Sequence, residues 1–281
     1  MTDRVLALLD GTLLDPAAPF LRADDYGVLR GDGIFETTLV VDGAPRDLDE
    51  HLLRLAISAR MTDLELPGAD RWRTGITAAI GAWTGGRDMV LRLIATRGPE
   101  GANRPTCFVM GGPVAPRIAQ DRAEGVRVLT LERGFSGTEA AALPWLLAGA
   151  KTLSYAVNMA AQRHAAANGA DDVVFVGSDG HVLEAPTATV VIAQGRHLVT
   201  PPLQGILAGI TVERLWPAAR AAGFTTETAP LTVQDLHAAD GVWLLSSVRL
   251  IAPVVRIDGA DRPAGAVTAE LAAALDVPPA R

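Results

Sequence analysis

Of the 25 lysine and arginine residues in this sequence, a single one, Lys151, is lysine. Arginine keeps its charge at any working pH and serves wherever a fixed cation is needed. A primary amine does what guanidinium cannot: in its neutral form it attacks a carbonyl, forms a Schiff base and shuttles a proton. Biased codon usage alone could leave one stray surface lysine, so the surroundings of Lys151 must decide. Lys151 follows Leu-Ala-Gly-Ala and precedes a stretch, 152–168, of helical periodicity that closes at Asn168-Gly169, a C-cap pattern. The spacing therefore predicts an amine projecting from a strand-to-helix junction.

Three further features share the second half of the chain with it. Glu184 follows an apolar run and precedes Ala-Pro in an otherwise uncharged neighbourhood. A carboxylate there is costly to bury unless a cation or a protonated group faces it. Gly209-Ile210-Thr211 opens a helix, whose first N–H groups and dipole favour an anion such as phosphate. Ser246-Ser247 ends a strand and offers two small hydroxyls. Taken singly these are a loop acid, a helix start and a turn. Taken together they match the needs of pyridoxal 5′-phosphate. The amine bonds the aldehyde, the carboxylate keeps the pyridine nitrogen protonated, and the hydroxyls and helix start anchor the phosphate.

The elements that must position these groups are legible from hydrophobic periodicity and turn residues. Residues 4–9 read as a strand. The turn Arg30-Gly31-Asp32-Gly33 leads into the β-rich run Ile34–Val41 and a second turn at Asp42-Gly43. Asp49 is the expected cap of a helix to about Ala59, with a second helix over 70–82 and strands at Met89–Thr96 and Thr106–Met110. Gly111-Gly112-Pro113 and Pro116 interrupt the pattern, and a domain boundary is expected near 111–122. This gives a small N-terminal α/β domain, 1–115, and a large C-terminal domain, 116–281, carrying the lysine. In the second domain strands are expected at Val126–Leu131, Val173–Val176, His181–Leu183, Ala188–Ala193, His197–Val199, Val242–Ser246 and Pro253–Ile257. Helices are expected from Thr211 to about Ala222, closed by Gly223, and over 268–275. The fold class is α+β or mixed α/β, in two lobes.

At 281 residues the chain can bury a large core, and its composition, 49% hydrophobic and 20% charged, is globular. A net charge of −7 without basic clusters speaks against nucleic acid. No apolar stretch reaches membrane-spanning length, and the N-terminus lacks a signal-peptide pattern. The lone cysteine, Cys107, lies in an apolar run and reads as a strand residue, which suits a reducing, cytoplasmic setting. The five histidines are scattered without metal-ligand spacing, so no metal site is expected.

The sequence resembles the fold-type IV, or class IV, pyridoxal-phosphate enzymes: branched-chain aminotransferases, D-amino-acid transaminases and 4-amino-4-deoxychorismate lyases. The resemblance runs over nearly the whole chain. It is carried by Gly31-Asp32-Gly33-Ile34-Phe35-Glu36-Thr37, by Asp49-Glu50-His51-Leu52-Leu53-Arg54-Leu55 and by Lys151-Thr-Leu-Ser-Tyr155. Val182-Leu183-Glu184, Thr200-Pro201-Pro202, the run from Gly205 to Thr211, Ser246-Ser247, Pro253-Val254 and Asp258-Gly259 continue it. It implies that Lys151 is the Schiff-base lysine and that Glu184 bonds the pyridine nitrogen. It further implies that Arg54, Gly209, Ile210, Thr211 and Ser247 hold the phosphate. Tyr155, one turn beyond the lysine, is either plain core or a partner of the ring's phenolate oxygen. Where family members usually carry Asn, five residues after the glutamate, this chain has Thr189, read as support for the turn. The resemblance also implies a homodimer whose active sites are completed by the partner, with Arg97 or Arg104 acting across the interface.

The family's reactions share proton removal by the lysine and then diverge. Phe35 stands where D-amino-acid transaminases have a tyrosine that binds the substrate carboxylate, and the loop Arg97–Pro105 contains no histidine of their Arg-x-His pair. The lysine-to-tyrosine spacing is shorter than in branched-chain enzymes. Arg249, after Ser246-Ser247-Val248, either clamps a second substrate carboxylate or points to solvent. The resemblance thus favours 4-amino-4-deoxychorismate lyase, which expels pyruvate and leaves 4-aminobenzoate for folate synthesis. A class IV aminotransferase acting on D-amino acids, branched-chain amino acids or an (R)-amine is the alternative.

Overall fold

The computed structural model describes residues 4–278. The chain folds as two compact units. One runs through Ala115 and adds Ala150–Tyr155; the other comprises Pro116–Gly149 and the residues from Ala156 onward.

The first unit is a six-stranded antiparallel sheet covered by two helices. Its elements are β1 (Val5–Leu8), β2 (Leu13–Leu14), α1 (Tyr26–Arg30), β3 (Gly33–Val41), β4 (Ala44–Pro45), α2 (Leu48–Met61), α3 (Ala69–Gly81), β5 (Asp88–Thr96) and β6 (Thr106–Gly112). The strand order is β2-β1-β6-β5-β3-β4. Ile34, Leu91, Leu93 and Val109 meet Leu55, Trp72 and Ile76 in one apolar cluster. Burying each such side chain contributes roughly 1.5–3 kcal/mol, which is what holds α2 against the sheet. α2 begins one residue before the expected cap. Asp47 is its N-cap, and Asp49 sits in the first turn, where its charge meets the positive end of the helix dipole. Cys107 lies half-buried in β6, and burial pushes its thiol up to about 12.

The second unit is a mixed sheet with helices on both faces. Its elements are α4 (Pro116–Glu124), β7 (Val126–Glu132), α5 (Gly137–Ala142), α6 (Ala156–Ala167), β8 (Asp172–Val176), β9 (Thr189–Gln194), β10 (His197–Thr200), α7 (Ile210–Ala221), β11 (Thr225–Thr228), α8 (Val233–Ala238), β12 (Gly241–Ser246), β13 (Leu250–Ile257), β14 (Ala260–Asp261) and α9 (Thr268–Ala274). The strand order is β11-β10-β9-β12-β13-β7-β8, with β14 paired to β13. Alternation along the central strands builds two cores, as a pleated strand requires. Val190, Ile192, Val242 and Leu244 face one cluster. Val191, Ala193, Trp243 and Leu245 face the other, against Leu215 and Ala219 of α7 and Leu271 of α9.

Two expectations are corrected. The lysine segment does not open a helix and does not belong to the C-terminal body. Residues 150–155 run extended along β3: Phe35 N donates to Lys151 O at 3.0 Å, Leu153 N donates to Gly33 O at 2.8 Å, and helix α6 starts only at Ala156. β4 covers only the far end of β3, so the edge at Gly33–Phe35 has backbone groups to satisfy, and that pairing outweighs the helical periodicity. Within the stretch 111–122, where a boundary is expected, the chain passes from one unit to the other after Ala115 and opens α4 at once. Pro116 occupies its first turn, where the missing N–H costs nothing. The short run His181–Leu183 forms isolated bridges, Val176↔Val182 and His181↔Thr232, rather than a strand.

Candidate active site

On the first unit the site is built around the extended lysine segment. Two glycines let it lie close to β3. A Cβ on Gly33 would stand 2.5 Å from Ala95 O and 2.8 Å from Leu153 Cδ1. Gly31 has φ +66°, and its carbonyl accepts a 3.0 Å bond from Ser154 Oγ. Ser58 of α2, fully buried, accepts the Lys151 backbone N–H at 3.0 Å. The side chain is placed by two aromatic rings. Lys151 Nζ donates to Tyr155 Oη at 3.3 Å and lies 4.4 Å from the centroid of the Phe35 ring. Phe35 and Tyr155 pack edge to face at 5.2 Å and 74°. Tyr155 is not plain core: it is half-buried, and its hydroxyl accepts from the lysine amine.

Behind β3 lies a charged cluster. His51, Arg54 and Ser58 share one face of α2, spaced three and four residues apart. Glu36, on β3, is 1% exposed. It accepts Arg54 Nε at 2.7 Å and Nη2 at 2.9 Å, a two-pronged pair, and lies 2.7 Å from His51 Nδ1. Burial pushes the Glu36 carboxyl up, but the Arg54 charge and the hydrogen bonds from Arg54 and His51 outweigh it and hold it at about 2. Sequence reasoning gave Glu36 no role. A carboxylate within a nine-residue strand otherwise made of Gly, Ile, Phe, Thr, Leu and Val was the signal that a cation must meet it.

The two loop arginines of this unit differ. Arg97 makes four hydrogen bonds: to both carboxylate oxygens of Asp32 at 2.6 and 3.1 Å, to Thr62 O at 2.7 Å and to Asp63 O at 3.2 Å. It ties the Gly31–Gly33 turn to the end of α2, so within the chain it is a strut. Arg104 is exposed and lines a cavity of about 250 Å³ with Phe20, Leu21, Arg22 and Pro99.

On the second unit, Glu184 lies in the turn between β8 and β9. Phe175 N donates to its carbonyl at 2.8 Å, and its Oε2 accepts Leu207 N at 3.1 Å. Asn158 of α6 holds the same turn through Pro186 O at 2.7 Å. The neighbourhood is not uncharged, as the sequence suggested. Burial pushes the Arg133 guanidinium below its ordinary value, and the nearby Glu184 charge opposes that shift. Arg133 also stacks 4.5 Å over the Phe175 ring. Two residues past Leu207 the chain reaches Gly209, the N-cap of α7, with φ −83° and ψ 105°. Val212 N and Glu213 N both turn back to Gly209 O, at 3.0 and 3.1 Å. The N–H groups of Ile210 and Thr211 therefore lie at the open end of the helix. A Cβ on Gly209 would stand 2.2 Å from Thr189 Oγ1, so the absent side chain is a requirement here. Ser247 sits at the β12–β13 turn, where Ser246 pairs with Leu250.

Arg249 is not the substrate clamp the sequence suggested, nor does it face solvent. It is 7% exposed, bonded through Nη2 to Asp172 Oδ2 at 2.9 Å and 3.3 Å from Asp121 Oδ2 through Nε. Asp172 and Asp121 are themselves buried. A guanidinium with two buried carboxylates to neutralise stays with them.

The donor set fits pyridoxal 5′-phosphate on the chemistry each group carries. An amine and a phenol are bonded to each other on the first unit. A carboxylate oriented by a backbone N–H, a side-chain-free helix start and two hydroxyls, Thr211 and Ser247, lie on the second. Among the described residues no group of His, Cys, Asp and Glu is arranged to hold a metal ion. No helix of the described residues is long and apolar enough to cross a membrane.

Comparison with known proteins places this arrangement. The family model for amino-transferase class IV matches residues 33–257, and the chain belongs to that family. A bifunctional aminodeoxychorismate lyase / D-amino acid transaminase from Mycobacterium tuberculosis is 46% identical over 265 residues, spanning 91% of this chain and 92% of that protein. A hypothetical aminotransferase from the same organism, solved with α-ketoglutarate and PMP bound, superposes with a TM-score of 0.94 at 46% identity, covering 97% of each chain. A fold IV transaminase from Curtobacterium pusillum gives a TM-score of 0.92 at 41% identity, covering 98% of this chain and all, 100%, of that one.

Proposed function

We propose that this chain is a pyridoxal 5′-phosphate-dependent 4-amino-4-deoxychorismate lyase, which expels pyruvate from its substrate and releases 4-aminobenzoate for folate synthesis. The observation that carries the reading is the kinship, at 46% identity over 91% of the chain, with a protein named for this lyase activity. The apolar wall beside the lysine supports it: Phe35, without a hydroxyl, stands 4.4 Å from Lys151 Nζ where a carboxylate-binding phenol would favour D-amino-acid transamination.

When bound, the cofactor supplies an electron sink to the carbon that carries the substrate amine. Lys151 Nζ would hold it and, as a free amine, would take the proton from that carbon. Tyr155 Oη, 3.3 Å away, fixes where the amine points. The Phe35 ring lies 4.4 Å from the amine and favours its cationic form when it carries the proton. Glu184, oriented by Leu207 N–H, keeps the ring nitrogen protonated. Thr211, Ser247 and the first N–H groups of α7 hold the phosphate, and Arg54, braced by Glu36, adds a fixed cation. The proposal includes a cytoplasmic homodimer in which Arg97 or Arg104 of one protomer meets the substrate of the other. With Arg249 buried against aspartates and Arg97 tied to Asp32, the loop arginine left for a substrate carboxylate is Arg104.

A second reading has its own support. The same relative is also named a D-amino acid transaminase, so keto-acid-dependent amine transfer is expected as a companion activity. One experiment separates the two. The purified enzyme is incubated with chorismate, glutamine and an aminodeoxychorismate synthase, and 4-aminobenzoate and pyruvate are quantified. Equimolar formation of both supports the lyase. 4-Aminobenzoate at the uncatalysed background, with amine transfer from D-alanine to a keto acid intact, would leave the transaminase alone.

A further inference from the structure

The turn that carries Ser247 is strained and is held from two sides. Leu250, which closes it, has φ +62°, a left-handed conformation that a large side chain rarely adopts. Leu250 is buried and paired with Ser246, so the chain cannot relax there without breaking the β12–β13 hairpin. Arg122 of α4 reaches the turn's backbone. Its Nε donates to Arg249 O and its Nη2 to Val248 O, both at 2.8 Å. The Arg249 side chain reaches the other way, to Asp172 at the start of β8 and to Asp121 on α4. Asp172 is fixed in turn, because its Oδ1 accepts Val173 N at 3.0 Å. Arg117 braces Asp121 at 3.3 Å. Two neighbouring carbonyls and the side chain that follows Val248 are thus fastened to α4 and β8, while Ser247, one residue earlier, makes the turn's exit from β12.

We propose that Arg122 and Arg249 are positioning residues for the Ser247 hydroxyl, locking the Ser246–Leu250 turn in the conformation that presents it to the cofactor phosphate. The proposal rests on the assignment of Ser247 to the phosphate. It gives Arg249 a role that neither a substrate clamp nor a surface arginine would fill. A site held to fractions of an ångström needs such support behind the residue that makes the contact. Arg122 and Arg249 touch no reacting group; they act through the backbone of the turn.

The test uses the full chain, stripped of cofactor and titrated separately with pyridoxal 5′-phosphate and with pyridoxal, which has the same ring and aldehyde but no phosphate. Arg122→Ala and Arg249→Met are compared with wild type. Both are expected to raise the dissociation constant for pyridoxal 5′-phosphate about tenfold, the worth of one misaligned charged hydrogen bond. Both should leave that for pyridoxal within about twofold. Arg249→Met strands two buried aspartates and can fail to fold, whereas Arg122→Ala leaves the Arg249 ion pairs intact and keeps the test decisive. Folded Arg122→Ala with unchanged affinity for pyridoxal 5′-phosphate overturns the proposal, as does an equal loss for both ligands, which would mark general loosening. Wild type that binds the two ligands equally, or neither, overturns the cofactor assignment of Ser247 itself, and the wild-type titration tells these failures apart.

Discussion

Lys151 Nζ and Tyr155 Oη are bonded at 3.3 Å within one extended segment, not across successive turns of a helix. The tyrosine lies four residues on, yet the chain reaches it by running along β3 and turning at Leu153–Tyr155, where Tyr155 N donates to Leu153 O at 2.7 Å. The amine is therefore aimed by β-pairing to Gly33 and Phe35, and its direction depends on the sheet.

Removing the phenol should misdirect the amine without unfolding the segment, because the Tyr155 ring still packs on Phe35. Tyr155→Phe is expected to lower kcat by roughly thirtyfold, corresponding to about 2 kcal/mol for a hydrogen bond to a charged group. Thermal stability should change little. Steady-state kinetics beside a melting curve check this; an unchanged kcat contradicts the role given to Tyr155.

The Glu36 cluster predicts a pH dependence with a definite sign. Its carboxyl is held at about 2 in the fold, below the usual 4.5, so the folded state favours the ionised form. That stabilisation is fully present above about pH 5 and is lost progressively as pH falls through 4.5 toward 2. Glu36→Gln strands the Arg54 charge and is expected to cost about 3 kcal/mol at neutral pH. The gap between the two proteins should narrow steadily below pH 4. Urea unfolding at pH 7, 5 and 3.5 reads it, and parallel curves for the two proteins would speak against the cluster as the source.

Gly209→Ala should damage the start of α7, since the new methyl group lands on Thr189 Oγ1. The expected outcome is a tenfold or greater loss of cofactor affinity, at about 1.4 kcal/mol per decade. Thr189→Ala should be nearly neutral, and the double variant should recover most of the loss, since its closest remaining contact is the Thr189 Cβ at 3.2 Å. Additive losses in the cycle would show that the clash is not the cause.

Much of this was readable beforehand. The strands β3, β5, β7 and β9 announce themselves as β-rich apolar runs bounded by turn residues, and the motif residues Lys151, Glu184 and Gly209–Thr211 carry their chemistry in their types. What stayed hidden was decided by distant partners. The 152–155 segment has helical periodicity, but the open edge of β3 claims it. Arg249 looks like a ligand clamp from its place after Ser246-Ser247, and only the fold brings Asp121 and Asp172 to it. Glu36 and Arg133 were passed over because the Arg54 that Glu36 meets and the Glu184 whose charge reaches Arg133 are visible only when both ends are placed. α5 was missed although Ser136 and Glu139 spell its capping box, a local signal that needed no fold to read.

The central claim, that Lys151 holds the cofactor covalently, has an unusually clean test because the sequence offers no other lysine. Cofactor-loaded protein is reduced with sodium borohydride, which makes a Schiff base permanent, then digested and mapped by mass spectrometry. The expected result is the reduced cofactor on the peptide containing Lys151, and a colourless, unlabelled Lys151→Ala variant. An unmodified Lys151 peptide from coloured protein, or colour retained by the variant, would contradict the account.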